Sequence, residues 1–153
     1  RRFVFDRKLH TASQAGSLQI FTDSFADQTT VVCGESASTT SQALLEDFGA
    51  TIWRLPLVDE HLNLSAFRQR CYSEKICGVY IEPGPTWSAA LIEQRKVDYL
   101  FHYIAQKYLC DDHEEDRTKF GFLKGTNNLE VSNELQHMQY TRFGDDLLVR
   151  GHL

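Results

Sequence analysis

The sequence has little that would suit a nucleic acid, a membrane or a metal. Its 16 Lys and Arg stand against 21 Asp and Glu, a formal charge of -5, so it lacks the cationic field that attracts a phosphate polymer. No window approaches the roughly 18 consecutive apolar residues of a membrane span, and the start, RRFVFDRKLH, lacks the apolar stretch of a signal peptide. A soluble, cytoplasmic protein is expected, with neither nucleic acid nor membrane as partner. The 4 cysteines, Cys33, Cys71, Cys77 and Cys110, form no CxxC pair, and the 6 histidines show no metal-ligand spacing. That disfavours a zinc site and a disulfide framework, with Cys71 and Cys77 the residual candidates for one bridge. GxGxxG and GxxxxGK[ST] are missing, and Ser36 and Ser38 sit in no GxSxG elbow.

What is present is an alternation. With 153 residues and 42% hydrophobic content, the chain can bury one sizeable core, and a single domain is expected. RFVFD (2–6), TVVCG (30–34), TIWRLP (51–56) and GVYIE (78–82) read as short strands separated by helical stretches, the pattern of helices covering a largely parallel sheet. Thr39 to Gln42 forms a candidate capping box before a helix bearing Leu44, Leu45 and Phe48, which Gly49 would stop. Asn63 is placed to cap a helix that buries Leu64, Phe67 and Cys71. VDYLFHYIAQKYL (97–109) reads as a strand with Tyr99, Phe101 and Tyr103 on one face, followed by the acidic loop DDHEED (111–116). LEVSNEL, MQYTRF and LLVRGHL read as closing strands, with Gly144-Asp145 as a hairpin turn.

The stretch YIEPGPTWSAAL (80–91) carries the main functional question. A strand-like run ends in Glu82, turns through Pro83-Gly84-Pro85, and then reads as a helix with Pro85 at its first position, reaching about Arg95. At such a junction free backbone N–H groups and the helix dipole favour an anion, Gly84 admits close approach, Thr86 and Ser88 offer hydroxyls, and Ser88, Ala89 and Ala90 leave room. The same residues also suit a plain chain reversal. Glu82 fits either an acceptor for a ring N–H or amino group at a cleft rim or a solvated, capping acid. Trp87 fits packing or stacking on a planar ring.

Read together, VYIEPGPTWSAALIEQRKVDYLFHYIAQKYL resembles the C-terminal reductase domain of the bifunctional riboflavin-biosynthesis deaminase-reductases of the RibD type. That family carries a strand, Glu-(Gly or Ala)-Gly-Pro-Thr, a small-residue helix, Val-Asp-Glu-Leu and Tyr-Ile-Ala-Pro-Lys. RFVFDRKLHT (2–11) is similar to its Arg-Val-Val-Leu-Asp strand, and RFGDDLLVRGHL (142–153) to its closing Gly-x-Asp-Val strand. The resemblance spans nearly the whole chain. It implies a dihydrofolate-reductase-like α/β fold: a mixed, mostly parallel sheet flanked by helices, here lacking its first strands. It further implies NADPH-dependent reduction of the ribosyl group of 5-amino-6-(5-phosphoribosylamino)uracil to ribityl. Under it Glu82 contacts the substrate, and Gly84, Pro85, Thr86, Trp87, Ser88, Ala89 and Ala90 wrap the cofactor. Arg7 also lies at the cofactor, where its guanidinium would meet a phosphate or form a surface salt bridge.

The chain departs from the family pattern at Pro83, Trp87, Gln106 and Cys110. The family's opening strand and its next ligand-bearing segment have no counterpart, and no HxE followed by PCxxC occurs. The expectation is therefore a partial reductase domain, residues 1–153, whose parent chain carries a zinc deaminase domain and which pairs as a homodimer. Two alternatives stand beside the reductase: a catalytically inactive structural or assembly domain of the same fold, and a related pteridine- or folate-type reductase.

Overall fold

The computed structural model describes residues 1–84, 87–88, 91–92, 94–107 and 134–153. They fall into two compact units, Arg1–Val79 and Tyr80–Leu153.

The first unit is built on three parallel strands, β1 (Arg2–Phe5), β2 (Thr29–Gly34) and β3 (Thr51–Leu55), in the spatial order β1-β2-β3. Register pairs Val4 with Val31 and Phe5 with Val32, then Val31 with Ile52 and Val32 with Trp53. β2 is central and buried along its whole length, which is why its sequence, TTVVCG, shows no polar alternation. Its side chains divide between two cores. Val31 and Cys33 pack with Leu9, Ala12, Ala15, Phe21 and Leu45, under a 3-10 helix (His10–Ser17), α1 (Gln19–Thr22) and α2 (Thr39–Asp47). Val32 packs on the opposite face with Trp53, Leu55, Phe67 and Cys71, under α3 (Leu64–Ser73). Phe3 and Phe5 join that second core, meeting the Phe67 ring at 5.3 and 4.8 Å.

The helix signals act largely as read, with one shift. Asn63 Oδ1 accepts from the Ala66 N–H at 3.0 Å, and Leu64, Phe67 and Cys71 form the buried stripe of α3. At α2 the cap is Ser38 rather than Thr39: its hydroxyl accepts from Ser41 N–H at 3.2 Å. Ser38 wins because its backbone, at φ -57 and ψ 129, is still non-helical, which a capping residue requires. Gly49, at φ 89, ends α2 as expected. The 3-10 helix and α1 went unread, since neither carries an amphipathic repeat of helical period.

The second unit contains an antiparallel sheet, β6 (Tyr99–Ile104), β7 (Gln136–Phe143) and β8 (Asp146–His152), with β8 in the middle. Gly144, at φ 58, opens the turn between β7 and β8, where Phe143 pairs with Asp146. The expected strand at 78–82 is not formed. These residues enter no ladder with another described residue, and a strand exists only through its pairing, so the apolar run yields irregular chain. The acidic loop at 111–116 and Cys110 lie outside the described residues. Cys71 and Cys77 are both free, the first buried and the second exposed. Among the described residues no helix is long and apolar enough to cross a membrane, and no His, Cys, Asp or Glu cluster could hold a metal.

Candidate functional site

In an open parallel sheet the strands' carboxyl ends, where chain leaves for the next helix, form the natural ligand crevice. Here that edge holds a cavity of about 400 Å³ lined by Arg7, Lys8, His10, Ser36, Ala37, Ser38, Leu57 and Glu60. Arg7 arrives because the ladder runs on past β1: Asp6 N–H donates to Val32 O at 3.0 Å and Gly34 N–H to Arg7 O at 2.9 Å. Asp6 then turns the chain, its carboxylate accepting from the Thr11 N–H at 2.7 Å and the Thr11 hydroxyl at 2.8 Å. Burial pushes the Asp6 carboxyl up, but the two Thr11 bonds and the His10 amide outweigh it and hold it below the ordinary carboxylate range.

The opposite wall is fixed from β3. Arg54 donates through Nη1 to Glu35 O at 2.6 Å and Ala37 O at 2.9 Å, and through Nε and Nη2 to Gln42 Oε1. One guanidinium thus ties the turn after β2 to the first turn of α2. Ser38 accepts from Ser41 and keeps its own O–H to donate, while Thr39 and Thr40 N–H, at the start of α2, have no carbonyl one turn back to meet. Cations, hydroxyls and a helix start therefore gather at one sheet edge, a donor set that suits a phosphate.

The third side is the hairpin β4 (Leu57–Val58) and β5 (His61–Leu62), joined by Asp59 and Glu60. Both have positive φ, 48 and 63, as a two-residue type I′ turn demands, although neither is glycine. Holding Glu60 there costs about 1–2 kcal/mol. Arg7 offsets part of it: Nη1 donates to both the Glu60 carbonyl and its carboxylate, the latter at 3.0 Å.

The residues read from the sequence are distributed as follows. Arg7 lies in the first unit, in this cavity, with Glu60 as its counter-ion. Glu82 and Gly84 belong to the second unit and are exposed, and an added Cβ at Gly84 would meet no described residue within 4 Å. Gly84 O accepts from the Ser88 N–H at 2.9 Å, a bond of helical spacing, and from the Ser88 hydroxyl at 3.1 Å. Trp87 and Ser88 are helical. Near the end Arg95, at φ 52, and the bonds Arg95 N–H to Ile92 O and Lys96 N–H to Leu91 O form a helix stop where one was read. Pro85, Thr86, Ala89 and Ala90 lie outside the described residues. Lys8, His10, Ser36, Ser38 and Glu60 were not read as site residues. The available signal was the position of GESAS (34–38), at the end of a buried strand and just before a helix.

Solved structures identify the architecture. Acinetobacter baumannii RibD superposes with a TM-score of 0.67 over 99% of this chain at 15% identity. The fold is shared with part of that RibD chain. A second crystal form of the same RibD gives the same score, and a pyrimidine reductase-like protein from Corynebacterium diphtheriae gives 0.64, over 99% of this chain and at 15% identity. The chain spans 36–37% of the RibD chain in the two forms and 60% of the Corynebacterium protein. No family model matches the sequence, and no curated protein matches it. The dihydrofolate-reductase-like α/β class implied by the resemblance is thus the observed one, with a parallel sheet and flanking helices.

Proposed function

We propose that the chain is the reductase part of a RibD-type protein of riboflavin biosynthesis, which reduces the ribosyl group of 5-amino-6-(5-phosphoribosylamino)uracil to ribityl. The observation that carries this reading is the cationic, hydroxyl-lined cavity at the carboxyl ends of β1 and β2, in a chain with the RibD reductase-type fold. Its donors fit a nucleotide phosphate. NADPH, when bound, supplies the hydride. Arg7 and Lys8 neutralise phosphate charge, and Ser36 and Ser38 donate hydroxyl bonds whose direction fixes the ligand. The segment 84–90 receives the pyrophosphate under the resemblance, and no described residue would lie within 4 Å of a Cβ at Gly84, which suits close approach. Glu82, exposed and making no hydrogen bond with another described residue, is left to accept from the substrate's ring N–H or amino group. The protein's part is to position two reactants, which needs little acid-base apparatus.

The reading extends to a cytoplasmic homodimer whose parent chain adds a deaminase domain. The unpaired 78–82 segment favours the alternative, a domain that keeps the fold without turnover. A titration of NADPH and NADH against the fluorescence of Trp53 and Trp87 separates the two. The reductase reading expects a saturable response, stronger for NADPH and weakened by Gly84→Val. No response at millimolar NADPH would overturn it.

A further inference from the structure

Both members of the Arg7–Glu60 pair line this cavity, and the pair has three features that a merely structural ion pair does not need. The acid is displayed on a hairpin tip with two consecutive left-handed residues, Asp59 and Glu60, neither of them glycine. Its side chain is 85% exposed, against 35% for Arg7, so the carboxylate is held by little beyond the pair itself. Both Glu60 contacts converge on Nη1 of a guanidinium that lines the cavity along with Lys8, His10, Ser36 and Ser38. An exposed ion pair of this kind is weak and easily exchanged.

We propose that Glu60 is a built-in competitor for the anion site on Arg7, a carboxylate that a phosphate must displace and that thereby sets how strongly the cavity holds phosphate. The inference rests on the reading of this cavity as a phosphate site. A phosphomonoester brings nearly two negative charges and three acceptor oxygens, whereas Glu60 brings one charge. The exchange therefore favours a phosphomonoester, such as the 2′-phosphate of NADPH. A ligand that presents only a hydroxyl, as NADH does at the same carbon, leaves the Glu60 pair in place. Release of Glu60 also frees the hairpin tip from the clamp that holds its left-handed turn.

Glu60→Gln keeps the side chain's shape and removes its charge, and Glu60→Gly removes the side chain while suiting the turn's backbone. Calorimetric titration of the full chain with NADPH, NADH and inorganic phosphate should show both variants binding NADPH about fivefold more tightly than the wild type, with NADH unchanged. Phosphate should follow NADPH. In an Arg7→Met background the gain should vanish, because there is no guanidinium left to compete for. Equal NADPH affinity in wild type and both variants would overturn the role of Glu60 while leaving the cofactor reading intact. Loss of NADH affinity in Glu60→Gln would overturn it too, making Glu60 an acceptor for a ribose hydroxyl. Absence of NADPH binding in every protein would overturn this inference and the cofactor reading together.

Discussion

Asp6 does two jobs with one carboxylate. It accepts from the N–H and hydroxyl of Thr11 in the first turn of the 3-10 helix and fixes the exit of β1, which delivers Arg7 to the cavity. Removing it in Asp6→Ala should cost about 1–2 kcal/mol at neutral pH, measured by urea unfolding. Asp23 is held in a similar way: Arg2 grips both its oxygens, at 2.7 and 2.9 Å, and the hydrogen bond from Arg2 outweighs burial to lower its pKa. For both acids the folded value lies below the unfolded one. Their contribution is therefore complete above the unfolded value, near 3.9, and is lost as pH falls through the folded value beneath it. An Asp6→Asn, Asp23→Asn double variant should show a flatter fall in stability between about pH 5 and pH 2 than the wild type. Parallel acid branches in the two proteins would contradict these assignments.

At the scale of elements, α2 and α3 close with the same pair of bonds. In α2 Gly49 N–H meets Glu46 O and Ala50 N–H meets Leu45 O; in α3 Lys75 N–H meets Tyr72 O and Ile76 N–H meets Cys71 O. Each pattern needs a left-handed residue, Gly49 at φ 89 and Lys75 at φ 58. Glycine adopts that conformation without strain, and lysine does not. Gly49→Ala should therefore destabilise, and Lys75→Gly should stabilise, each by about 1 kcal/mol. No clash complicates the first, since a Cβ at Gly49 would come no closer than 3.7 Å to Asp27 N. Denaturant midpoints that moved in the same direction for both variants would reject the argument. The cap at Asn63 offers an independent check, because Asn63→Ala deletes the bond to Ala66 N–H and should cost about 1 kcal/mol.

At the scale of the molecule, legibility followed the reach of the interaction. β2 and the stripe Leu64, Phe67 and Cys71 were readable because composition and period are local and the burial they imply is large. The segment 78–82 has the same kind of pattern as β1, but a ladder needs a partner strand, and that is a property of the assembled chain. The cavity was half-legible for the same reason: Arg7 was named only through the family resemblance, whereas Ser36 and Ser38 join it once the parallel register of β1 and β2 is set and Glu60 once the β4–β5 hairpin closes. That register also makes β2 the shared wall of two cores, Leu45 on one face and Phe67 on the other. Leu45→Ala should cost about 2–5 kcal/mol and Phe67→Ala about 3–5 kcal/mol, since each opens a cavity in packed surroundings. If β2 couples the faces into one cooperative structure, near-UV dichroism from Trp53 in the Phe67 core should vanish at the same denaturant concentration as far-UV dichroism in Leu45→Ala. The damage lies on the opposite face, yet Trp53 can report it only through the sheet. Survival of the Trp53 signal after the backbone signal of the variant is lost would show that the two cores unfold separately, and that the cavity at the end of β2 is held by one of them alone.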